Sequence, residues 1–142
     1  MSTAIAHDPI NSPSHYISEN GLEVLDIIEA YGLADSFHLG NVLKYCLRAK
    51  AKGDYRENLS KGLYYLKRFH FKINQEDADF AWPCAMPDVE QAIPIESVVR
   101  EFKLTGALAA TVVDLLTVCV GDDTAGIDDC IDHLELAIKE AA

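Results

Sequence analysis

Asn41, Lys44, Tyr45, Arg48 and Lys52 lie close together in the stretch LGNVLKYCLRAKAKG, and Lys61, Tyr65 and Arg68 follow at i, i+4 and i+7. These residue types have a common use. Arg offers a planar fork that grips a phosphate through two hydrogen bonds, Lys a mobile point charge, Tyr a face on which a base stacks, and Asn a donor and an acceptor for a base edge. Together they have the chemistry of a nucleotide site.

Helices would have to place them. At about 100° per residue, the first five fall within one stripe, with Leu39, Val42, Leu43, Cys46 and Leu47 on the opposite side. This predicts a helix from about Asp35 to Lys52, broken by KGD. A third helix is expected from Asp54 or Tyr55 to Ile73, with Asp54 as N-cap and Glu57 at capping-box spacing, and with Leu59, Leu63 and Leu66 behind its polar stripe. An earlier helix reads from LEVLDIIEAYG, where Val24, Leu25, Ile27, Ile28 and Tyr31 share a face and Gly32 suits the C-terminus. The short KGDY turn makes the second and third helices an antiparallel hairpin, so that the two stripes border one groove.

Charge supports a small anionic ligand. The 142 residues carry a net charge of −11, yet residues 41–72 hold nine Lys and Arg against only Asp54 and Glu57. A locally basic patch within an acidic chain argues against general nucleic-acid coating. No apolar run approaches the ~20 residues that span a bilayer, and no N-terminal signal pattern is present, so a cytoplasmic protein is expected. Cys46, Cys84, Cys119 and Cys130, with five scattered histidines, show no metal-ligand spacing. They read as small buried residues, and no structural metal is expected.

Residues 1–14 read as a flexible arm, 15–75 as the ligand-binding helical domain and 76–92 as a proline-containing linker. Residues 93–142 repeat the apolar spacing of the first domain. Val24, Ile27, Ile28, Tyr31, Leu33 and Phe37 align with Ile95, Val98, Val99, Phe102, Leu104 and Leu108. After one deletion Val42 and Leu43 match Val112 and Val113, and Leu59 and Leu63 match Cys130 and Leu134. The predicted fold class is an all-α helical bundle of two three-helix repeats, the second degenerate and stripped of the first repeat's cations.

The motifs SPSHY, NGLEVLDIIEAYG, LGNVLKYCLRAKAKG and NLSKGLYYLKR, over about residues 12–69, resemble a small phage domain family that includes the nucleotide kinase of T-odd bacteriophages. The resemblance implies phosphoryl transfer onto a deoxynucleoside monophosphate of the dGMP or dTMP kind, with ATP or another nucleoside triphosphate as donor, in the cytoplasm of an infected bacterium. A magnesium requirement is left open. Carried over by position, the catalytic candidates are Lys44 and Arg48. The nucleotide-binding candidates are His15, Tyr16, Glu23, Asn41, Tyr45, Lys52, Lys61, Tyr65 and Arg68, and a homo-oligomer is expected. Asn58 stands where the family commonly has an acid and Gly62 where it has alanine. The sequence has no P-loop, no evident pair of acids for a metal ion beyond Glu23, and no general base that it identifies. Two other functions fit the same residues: a nucleotide-sequestering protein without turnover, and an interaction module whose Asp122, Asp123, Asp128, Asp129 and Asp132 contact a basic host surface. The paired acids of an all-α pyrophosphohydrolase are not found.

Overall fold

A computed structural model of the chain describes residues 21–75, 93–121 and 126–141. Over these residues the protein is an all-α bundle. The helices are α1 (Val24–Ala30), α2 (Phe37–Leu47), α3 (Tyr55–Gln75), α4 (Ile95–Glu101), α5 (Gly106–Gly121) and α6 (Gly126–Glu140), with a 3-10 turn at Leu33–Asp35. No described helix is long and apolar enough to cross a membrane. The arm and the linker, with His15, Tyr16 and Cys84, lie outside the described residues.

Local chemistry sets the helix ends. Gly32 adopts φ +72°, a left-handed conformation that side chains disfavour, and so stops α1. Ser36 caps α2, its Oγ accepting the Leu39 N–H at 3.2 Å. Asp54 Oδ1 accepts the Glu57 N–H at 2.8 Å, as the spacing predicts for the start of α3. The end of α2 differs from the prediction. The helix stops at Leu47, because the buried Asn58 amide donates to the carbonyls of Ala49 at 3.2 Å and Lys52 at 2.5 Å. Those carbonyls are therefore turned toward α3 instead of continuing the helix. A carboxylate could not donate these bonds, which explains the amide at position 58. Lys52 consequently sits in the exposed turn, beyond the helical stripe.

The two halves repeat one another in detail. Tyr31 and Phe102 end α1 and α4 with φ/ψ of −99°/8° and −97°/5°. The next residues, Gly32 and Lys103, both have positive φ. The connection that follows runs from Leu33 to Ser36 in the first repeat but only from Leu104 to Thr105 in the second, where the Thr105 carbonyl accepts the Ala109 N–H as Ser36 accepts that of Gly40.

This shortening corrects the expected register. Leu39, Val42, Leu43, Cys46 and Leu47 are buried in α2, and Leu108, Thr111, Val112, Leu115 and Leu116 are buried in the same order in α5. Phe37 thus matches Gly106 and not Leu108, Val42 matches Thr111, and Leu43 matches Val112. Val113, the expected match of Leu43, is 38% exposed. In the third helices Leu59, Gly62, Leu66 and Phe69 correspond by burial to Ile127, Cys130, Leu134 and Ala137, so Leu59 does not match Cys130. Leu63 likewise pairs with Ile131, both half-buried, and not with Leu134.

Each central helix also packs against its own counterpart, α2 on α5 and α3 on α6. The repeats are related by an internal pseudo-two-fold arrangement, and their buried side chains form one continuous core. Cys46, Cys119 and Cys130 are buried. Burial pushes the Cys46 thiol up to about 12, leaving it a core residue rather than a nucleophile.

Candidate functional site

Helix α2 turns Lys44 and Tyr45 away from its buried face, Arg48 follows at its C-cap, and α3 brings Lys61 and Tyr65 beside them. Gly40 permits this docking. A Cβ there would stand 3.3 Å from the Leu33 carbonyl oxygen, a tight approach, so glycine lets α2 lie close on the preceding turn without a shift. The expected stripes do converge, but on a stack. The Tyr45 and Tyr65 rings are nearly parallel, with 9° between their planes and 6.1 Å between centroids.

Cations surround that stack. Lys44 Nζ and Arg48 Cζ each lie 4.6 Å from the Tyr45 centroid, and Lys61 Nζ lies 5.9 Å from it. Each such contact contributes about 0.5–1 kcal/mol where exposed and more where water is excluded. Arg48 is 8% exposed and its guanidinium is held in place, whereas Lys61 is exposed and pairs with Glu57 at 3.6 Å one turn earlier. That exposed pair is worth little. Lys44, Arg48 and Lys61 thus bring three cationic groups to one ring.

The face continues past Tyr65. Phe37, His38 and Tyr64 meet the Tyr65 ring edge-on at centroid distances of 5.7, 6.3 and 5.4 Å. Phe37 is 69% exposed and Tyr64 61% exposed, so two aromatic rings lie open beside Tyr65. His38 is held below the usual histidine range, first by burial and then by the charges of Lys72 and Arg68. Phe37, His38, Tyr64 and Lys72 were missing from the residues singled out by sequence. His38 precedes Tyr45 by two helical turns and Lys72 follows Arg68 by one, so the stripe rule itself could have found them.

Other expected residues stand elsewhere. Asn41 Nδ2 donates to the Phe37 carbonyl at 2.7 Å, so one amide hydrogen is used within α2. Glu23 is the N-cap of α1, and its backbone N–H donates to Asp26 at 3.3 Å. Arg68 lies 5.7 Å over Phe71, at the His38 end of the face. The nine cations also divide by role: Arg56 Nε donates to the Ile138 carbonyl at 3.3 Å and Lys67 pairs with Glu135 at 3.1 Å, so both serve the contact with α6. Among the described residues no three His, Cys, Asp or Glu side chains gather in a way that would hold a metal ion.

Residues 10–67 match the model of a family described as a protein of unknown function, DUF3310. The chain is similar to that family over this span. The match takes in α1, α2 and most of α3, and therefore the Tyr45–Tyr65 stack with Lys44, Arg48 and Lys61, but none of the second repeat. No curated protein and no solved structure matches the chain.

Proposed function

We propose that the α2–α3 face binds a deoxynucleoside monophosphate and that the protein is a phage-type nucleotide kinase. The observation that carries the binding site is the Tyr45–Tyr65 stack ringed by Lys44, Arg48 and Lys61. The phosphate lies against the three cations. The base lies against the exposed rings of Phe37 and Tyr64 beside Tyr65, where stacking contributes about 1–3 kcal/mol per base. Transfer of a phosphoryl group from ATP or another nucleoside triphosphate draws on the same cations. Such reactions are catalysed largely by positioning and by neutralising charge on the transferring group. The step from binding to phosphoryl transfer rests on the resemblance of the LGNVLKYCLRAKAKG motif. Binding without turnover is the second reading, favoured by Glu23, the acid that the motif puts forward, serving as the N-cap of α1.

Incubation with each deoxynucleoside monophosphate and ATP, followed by separation of the products, tests the reading. The diphosphate of one or two bases is expected. Lys44→Ala should weaken binding by about 1.5–3 kcal/mol, the value of a charge-assisted hydrogen bond, with an unchanged helical spectrum. Thermal stabilisation by a monophosphate without any product identifies sequestration. Absence of both product and stabilisation contradicts the nucleotide reading.

A further inference from the structure

The pseudo-two-fold arrangement gives the ligand face a counterpart on α5 and α6. The burial register that pairs Leu43 with Val112 and Leu66 with Leu134 sets Asp114 at the place of Tyr45 and His133 at the place of Tyr65. These two positions touch in both repeats. Where the tyrosines stack, His133 Nδ1 and Asp114 Oδ2 stand 2.5 Å apart.

The surroundings follow the same correspondence. Thr117 takes the place of Arg48, Asp129 that of Lys61 and Val113 that of Lys44. Asp114, Thr117 and Asp129, with Val118, Gly121 and Gly126, line a cavity of about 350 Å³. The second repeat thus has a hollow between its second and third helices with acidic walls, where the corresponding positions of the first repeat carry basic and aromatic side chains. A compensating exchange marks the same spot: Asn58 beside Ala49 in the first repeat becomes Gly126 beside Val118, and a Cβ at Gly126 would come within 2.5 Å of the Val118 side chain.

We propose that the α5–α6 face is a disarmed twin of the ligand face, in which the Asp114–His133 pair replaces the tyrosine stack, so that each chain holds one nucleotide and not two. The proposal rests on the nucleotide reading for its ligand, and on the repeat geometry for the equivalence. An anion entering the second hollow meets the carboxylates of Asp114 and Asp129. The His133 ring is already engaged by Asp114, and no aromatic platform is left for a base. The exchange fits a repeat that has become a built-in partner. Lys67 and Glu135 occupy equivalent positions and pair with each other at 3.1 Å, where two copies of the first repeat would set lysine against lysine.

Two measurements on the full-length chain test the proposal. The first needs no ligand: Tyr45→Asp and Tyr65→His are made singly and together and unfolded thermally. Equivalent positions predict that the double variant loses less melting temperature than the sum of the single variants, because the new pair can form. Additive losses overturn the equivalence. Should the double variant fail to fold, Asp114→Tyr with His133→Tyr runs the same cycle in the second repeat. The second measurement is titration calorimetry with dGMP and with dTMP. One site per chain is expected. Two sites overturn the disarmed twin, whereas no heat with either nucleotide overturns the nucleotide reading on which it rests.

Discussion

The first and second repeats of this protein share their helix ends, their buried positions and the way each central helix meets its counterpart, yet one presents cations and aromatic rings where the other presents acids. Packing and surface chemistry have therefore separated. A buried position answers to its neighbours on every side, and altering its volume costs stability whichever repeat carries it. An exposed stripe answers only to what it binds. The half-buried Tyr45, the exposed Lys61 and even the buried Arg48, which lies at the end of its helix, correspond to Asp114, Asp129 and Thr117 without a new fold.

The sharpest way to break the comparison is through the core. Leu66 and Leu134 are corresponding residues, both fully buried. Leu66→Ala and Leu134→Ala should each cost about 2–5 kcal/mol, and each should lower a single unfolding transition seen by calorimetry. Two transitions, with each substitution moving only one, would show two independent units in place of a shared core.

A smaller effect is expected at the turn after the first helix of each repeat. Lys103 holds φ +55° where the first repeat has Gly32. Left-handed backbone costs a side-chain-bearing residue about 1–2 kcal/mol, so Lys103→Gly should raise stability by up to about 1 kcal/mol after the extra chain entropy of glycine is subtracted. Denaturant titration measures it. A loss of stability would mean that the Lys103 side chain contributes more than its backbone strain costs.

The smallest effect is a titration. His38 has its folded pKa lowered, so as pH falls below the ordinary histidine value of about 6.5 the unfolded chain binds the proton first, and the stability present above that value declines. A base stacked on Phe37 beside His38, with its phosphate at Lys44, Arg48 and Lys61, withdraws the imidazole further from water and should move the His38 pKa further down, as followed by the NMR signals of the ring. The second repeat has the buried Ala107 at this place and offers no such response. A His38 pKa that rises on nucleotide addition would place the phosphate at this end of the face, beside Arg68 and Lys72.

Much of this was legible in the sequence because helical periodicity is local. The start of α3 followed from Asp54, that of α2 was placed near Asp35 by periodicity alone, and the convergence of Lys44, Tyr45, Arg48, Lys61 and Tyr65 followed from their spacing on two helices joined by a short turn. What was not legible depended on contacts between distant residues. The end of α2 is set by Asn58, which belongs to the next helix. The repeat register was misplaced because the shortening lies in the turn between Leu33 and Ser36, and an apolar residue one position out of step reads as well as the right one until burial distinguishes them. Phe37 was overlooked because an aromatic residue next to a helix start reads as core, and only the structure shows it exposed.

The central claim is that one face of the pseudo-symmetric pair takes the nucleotide. Amide chemical-shift mapping of the isotope-labelled full-length chain during titration with a deoxynucleoside monophosphate tests it directly. The account predicts shifts concentrated at Lys44, Tyr45, Arg48, Lys61 and Tyr65, with Asp114, Thr117, Asp129 and His133 unmoved. Shifts centred on α5 and α6, or spread equally over both faces, would contradict it.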